Sequence, residues 1–116
     1  MNELLATPSY KGSIECIESW HDDKGNWYRI YSDGWCEQGG VHITTNRDFN
    51  TVTLFKSYID TNYSVIFNHE IDITNHASYV GYPTTYQKTR NSWNYTPPVN
   101  ISNNPRIRWE TKGYIS

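Results

Sequence analysis

Residues 27–40 read WYRIYSDGWCEQGG, and this stretch decides the fold. Two runs, Tyr28-Arg29-Ile30-Tyr31 and Trp35-Cys36-Glu37-Gln38, flank Ser32-Asp33-Gly34. An Asp-Gly step between aromatic and β-branched runs predicts a β-hairpin, because glycine takes a positive φ without steric cost. The loop has two residues, or three with Gly34 in the left-handed position. Alternation puts Trp27, Arg29 and Tyr31 on one face, Tyr28 and Ile30 on the other. Gly39-Gly40 is expected to end the second strand or to bulge it.

Outward from the hairpin, the chain of 116 residues is long enough for one core and too short for two. Residues 1–13, with Pro8 and Gly12 and no periodicity, form a leading segment or linker end; residues 14–116 form the domain. Only 36% of residues are hydrophobic, yet ten are Tyr and five are Trp. Such a core draws its burial from large rings, each needing a polar partner at its edge.

Ile14-Glu15-Cys16-Ile17-Glu18-Ser19-Trp20 is a strand of imperfect alternation, followed by a polar turn over residues 21–26. Asp22 and Asp23 in that turn lack the other ligands of a calcium loop at the required spacing. Residues 41–50 are expected to be polar connection. Thr51-Val52-Thr53-Leu54-Phe55-Lys56 places Val52 and Leu54 together, and Tyr63-Ser64-Val65-Ile66-Phe67-Asn68 places Tyr63, Val65 and Phe67 together. With Asp60-Thr61-Asn62 between them, they predict a second hairpin or meander. Ser92-Trp93-Asn94-Tyr95 is a strand with Trp93 in the core. Over residues 106–115, Ile107, Trp109, Thr111, Gly113 and Ile115 share one face and charged residues the other. Short strands, regular turns and no helical period predict an all-β fold, a small antiparallel β-sandwich.

Chemistry-bearing patterns are sparse. Glu70, Asp72, Thr74 and His76 alternate with Ile71 and Ile73, but no further ligand follows at metal-site spacing, so a solvated strand face is expected and no metal or cofactor. Cys16 and Cys36 are expected to be free, buried thiols. No run approaches a membrane-spanning length, and Met1-Asn2-Glu3-Leu4-Leu5-Ala6 is too short and acidic for a secretion signal. Residues 1–83 carry a charge of −6 and residues 84–116 a charge of +4, within a net −2. This split implies cross-strand pairing between the two parts, or a basic rim for an anionic ligand. Nucleic-acid binding is not expected at this pI without a basic run.

The 27–40 stretch resembles the signature of bacteriophage tail-fibre C-terminal domains, which carry a WYR-x-x-SDGW-x-EQGG run. Thr51-Val52-Thr53-Leu54-Phe55, Thr61-Asn62-Tyr63-Ser64-Val65 and Arg108-Trp109-Glu110-Thr111-Lys112-Gly113-Tyr114 are similar to later strands of that family, in the same order. The segment from Glu70 to Tyr86 departs from it most. The resemblance implies a homotrimer similar to H-type lectins, following an upstream fibre shaft at the distal end of a virion tail fibre. It also implies a non-enzymatic role, attachment to a bacterial surface polysaccharide or lipopolysaccharide. The alternative is a purely structural cap that trimerises the fibre end and binds no ligand. Within the motif the resemblance implies structural roles: Gly34 for the turn, Trp35 and Trp109 for the core, Glu37 and Gln38 for hydrogen bonds at strand ends or between subunits.

A ligand site is expected in the variable segment, on Tyr82, Tyr86 and Arg90, with the Asn103-Asn104 loop nearby. Tyr82 precedes Pro83 in a turn, so its ring is presented. Tyr86 and Arg90 fall four apart, the same side of an extended strand, where a ring and a guanidinium grip one sugar. The basic balance of this segment suits an acidic or phosphorylated glycan. The two tyrosines suit a subunit interface equally well.

Overall fold

The computed structural model describes residues 13–46, 48–70, 84–97 and 105–116. Among them the chain forms eight strands: β1 (Cys16–His21), β2 (Trp27–Tyr31), β3 (Trp35–Ile43), β4 (Asn50–Thr53), β5 (Ser64–Glu70), β6 (Thr84–Tyr86), β7 (Ser92–Thr96) and β8 (Arg106–Tyr114). They build two antiparallel sheets, one ordered β1-β2-β3-β8-β5 and the other β4-β7-β6. Phe67 of the first sheet meets Trp93 and Tyr95 of the second at ring distances of 5.3 and 5.5 Å. The protein is a small all-β sandwich.

The β2–β3 hairpin forms with a three-residue loop. Gly34 has φ +91° and donates its N–H to Tyr31 O at 2.9 Å, while Asp33 Oδ1 accepts the Trp35 N–H. The chain end closes over this turn, with Ile115 N–H donating to Gly34 O at 2.8 Å. On β1, the register shifts between Cys16 and Glu18. Ile17 is therefore an extra residue, which explains the imperfect alternation of that segment.

Three expectations are corrected along β3. The strand neither ends nor bulges at Gly39-Gly40; it pairs with β8 without interruption to Ile43. The glycines serve close approach. A Cβ on Gly39 would lie 2.6 Å from Trp109 O and 2.8 Å from the Trp27 indole nitrogen, and one on Gly40 would collide with Asn26. Trp35 is not in the core. The register puts Cys36 and Gln38 inside, fully buried, so Trp35 and Glu37 must point to the outer face. Gln38 does not bond at a strand end. Buried, it accepts from Phe55 N–H and Lys56 N–H and donates to Lys56 O, tying the chain after β4 to β3.

The expected second hairpin is also corrected. β4 pairs with β7 and β5 with β8, so residues 54–63 cross from one sheet to the other. Leu54, Tyr58 and Tyr63 are buried along that crossing. The core of Ile30, Cys36, Val52, Trp93, Ile107 and Trp109 is thus closed by rings from a connection as well as from strands. Its hydroxyls are satisfied in place: Tyr58 bonds Thr111 at 2.7 Å, Tyr95 bonds Thr44 at 2.7 Å, and Tyr63 reaches Thr89 O and Ser92 O. Both thiols are free, Cys36 buried as expected and Cys16 exposed, because none of the described residues covers that end of edge strand β1.

Candidate functional site

The crossing connection and the β6–β7 turn are stitched together by backbone. Tyr58 N–H donates to Arg90 O at 2.8 Å, and Arg90 Nε returns a bond to Tyr58 O at 3.1 Å. Leu54 N–H donates to Asn91 O, and Lys88 Nζ donates to Tyr63 O at 2.6 Å while lying 5.0 Å from the Tyr63 ring centre. These bonds fix the turn in space, because each would leave an unpaired group near the core if broken.

A shallow depression of about 590 Å³ opens where the two segments meet. Ser57 and Thr61 line it from one side, Thr89, Arg90 and Asn91 from the other. Arg90 is exposed, and beyond its Nε bond its side chain makes no hydrogen bond or ion pair among the described residues. A guanidinium fork ringed by hydroxyls and an amide offers donors to an anionic, hydroxyl-rich ligand.

Of the expected site residues that are described, Arg90 lines this depression and Tyr86 does not. Tyr82, Asn103 and Asn104 lie outside the described residues, as do residues 71–83 with the Asp72, Thr74 and His76 pattern. Tyr86 and Arg90 do not share a strand, which is a correction. β6 ends at Tyr86, Gln87 takes φ +53°, and the chain turns before Arg90. Tyr86 instead stands opposite Asn94 in the β6–β7 ladder. The residues that do join Arg90, Ser57 and Thr61, come from a segment legible in sequence only as the approach to a turn. The signal that marks them is the crossing between sheets, which no local pattern encodes.

Elsewhere the charged groups pair across strands. Glu70 on β5 holds Arg108 at 2.9 Å and Arg106 at 3.3 Å, so part of the −6/+4 split is neighbouring-strand pairing. The Tyr28 hydroxyl at 2.6 Å and the Lys56 ammonium hold the Glu18 carboxyl below its usual range. Bonds from the Asn26 side chain and backbone do the same for Asp22, which organises the 21–26 turn. Burial pushes the Cys36 thiol up to about 11 and the Tyr58 and Tyr63 hydroxyls up to about 12. Among the described residues, no three His, Cys, Asp or Glu side chains gather as metal ligands would.

No family model, curated protein or solved structure matches the chain.

Proposed function

We propose that this chain is a receptor-binding tip domain of a phage tail fibre, acting as a homotrimer at the distal end of the virion and attaching it to an acidic or phosphorylated bacterial surface glycan. The observation that carries the reading is the Arg90 depression, a cation among hydroxyl and amide groups on a braced rim. The resemblance of residues 27–40 to tail-fibre domains supports the assignment to a fibre. Gly34, Gln38, Gly39 and Gly40 of that stretch each have a scaffold role here, which suits a motif shared by fibres of differing ligands. Three copies on one shaft would raise a weak single-site affinity to useful avidity.

The test is retention on host surface polysaccharide, with sedimentation to count chains. The wild type is retained without cleavage, and Arg90→Gln loses most of that retention while the assembly stays trimeric. Absence of retention by the wild type supports instead a purely structural trimerising cap. That second reading is favoured by one observation: Ile14, Ile17, Ile43 and Ile66 are all exposed on the five-stranded sheet or its edge. Cleavage of the polysaccharide would overturn both.

A further inference from the structure

The 57–62 connection borders a second cleft, of about 370 Å³, on the other set of its residues. One wall is aromatic. Trp35 and Tyr114 are cross-strand neighbours, with ring centres 5.0 Å apart and planes at 74°. Tyr114 and Ile59 are 46% and 47% exposed, so the apolar half of the cleft is open. The other wall is polar, from Asp60, Asn62 and Lys112.

This cleft is rigid. Ile59 N–H donates to Tyr114 O at 2.9 Å, and Asp60 Oδ1 accepts the Asn62 N–H at 2.9 Å, which fixes the rim. Behind the floor at Gly113, the Tyr58 and Tyr63 rings stack at 4.4 Å. A Cβ at Gly113 would lie 2.7 Å from Tyr63 Cβ, so only glycine lets that pair support the strand. Trp35 is held from its own face, its indole N–H donating to Glu37 at 3.1 Å. Preorganised rings and polar groups bind without the entropy cost of ordering them.

We propose that this cleft is a second carbohydrate subsite, for one neutral hexopyranose unit. The apolar C–H face of the sugar lies on the Tyr114 and Trp35 rings, and its hydroxyls bond the Asp60 carboxylate, the Asn62 amide and the Lys112 ammonium. Charge selects the ligand. Lys112 is already paired with Glu110 at 3.9 Å and Asp60 adds a carboxylate to the rim, whereas the Arg90 depression is cationic, so the cleft suits a neutral unit and the depression an acidic one. A mostly apolar concavity with a few convergent polar groups is the usual form of a small-ligand site. The inference rests on the carbohydrate-binding reading above but on different residues.

The test is titration of the isotope-labelled full chain with methyl glucoside, galactoside and mannoside and with N-acetylglucosamine, followed by NMR. At least one sugar should give saturable shifts of the Trp35 indole N–H and of the Gly113 and Tyr114 amides. Tyr114→Ala should weaken that binding roughly tenfold. If that variant fails to fold, Asp60→Asn on the exposed turn should weaken it several-fold. The Arg90 Nε–H in the same spectra separates the two sites. Shifts at Arg90 with Trp35 still overturn this subsite and leave the depression standing; shifts at Trp35 alone support the subsite, and the depression is then judged by the polysaccharide retention of Arg90→Gln. Affinity unchanged in Tyr114→Ala sinks the proposal. So do Trp35 shifts that follow protein concentration rather than sugar, which would make the cleft a contact between copies.

Discussion

The five tryptophans divide into two populations, and the division separates scaffold from surface. Trp93 on β7 and Trp109 on β8 are buried between the sheets, 6.2 Å apart, with Phe67 or Phe55 against them. Trp20, Trp27 and Trp35, on β1, β2 and β3, each keep part of the ring in solvent. The exposed group is held by one or two partners each: Trp20 stacks on Tyr28 and meets the edge of Phe55, Trp27 lies under the Arg29 guanidinium at 4.4 Å, and Trp35 abuts Tyr114 and bonds Glu37. The cause is the face for two of them and coverage for the third. Trp27 and Trp35 stand on the outer face of the five-stranded sheet, opposite the buried Ile30, Cys36 and Gln38. Trp20 lies against Tyr28 and Phe55 on edge strand β1, over which little of the second sheet extends among the described residues. Rings between the sheets stabilise the fold; rings in the open half, on the outer face or at the β1 edge, are free to meet another molecule.

Four experiments break or sharpen that contrast, taken from the largest expected effect down. Trp93→Ala should cost about 3–5 kcal/mol in chemical denaturation, since a fully buried ring leaves a cavity that its neighbours fill only in part. A cost near that of a surface substitution would show that the second sheet is not packed as described. Alkali should attack the same core next. The raised positions of Cys36, Tyr58 and Tyr63 mean that the folded state keeps protons that the unfolded state has lost. Stability is therefore complete below the ordinary thiol and phenol ranges, and falls as pH rises from about 9 towards 12. A melting temperature that stays flat across this window rules out buried, neutral rings.

Gly34→Val comes third, at about 1–3 kcal/mol, because a β-branched residue resists positive φ and its Cβ would press on Ser116. An unchanged melting temperature would mean that the hairpin turn relaxes freely. The smallest effect belongs to the open half: Trp20→Ala should cost about 1 kcal/mol, the worth of its contacts with Tyr28 and Phe55. Were it to match Trp93→Ala, the two populations would be one, and β1 would have to be covered in solution by another chain.

What could be seen in the sequence was whatever a few neighbouring residues decide by themselves. The Asp33-Gly34 turn, the alternation of β8 and the inward Trp93 all follow from steric limits on φ and from a period of two, and they need no distant partner. The choice of partner strand is different. β4 and β5 have the same alternation whether they pair with each other or cross between sheets, and only the burial of Leu54, Tyr58 and Tyr63 selects the crossing. That crossing in turn brings Ser57 and Thr61 to Arg90, so the site was legible as one residue and not as a group. Trp35 carries the same lesson. The resemblance implied a core role for it, but the alternation that buries Cys36 and Gln38 leaves it no inward direction, and which face of the hairpin is buried is decided by the packing of the distant second sheet.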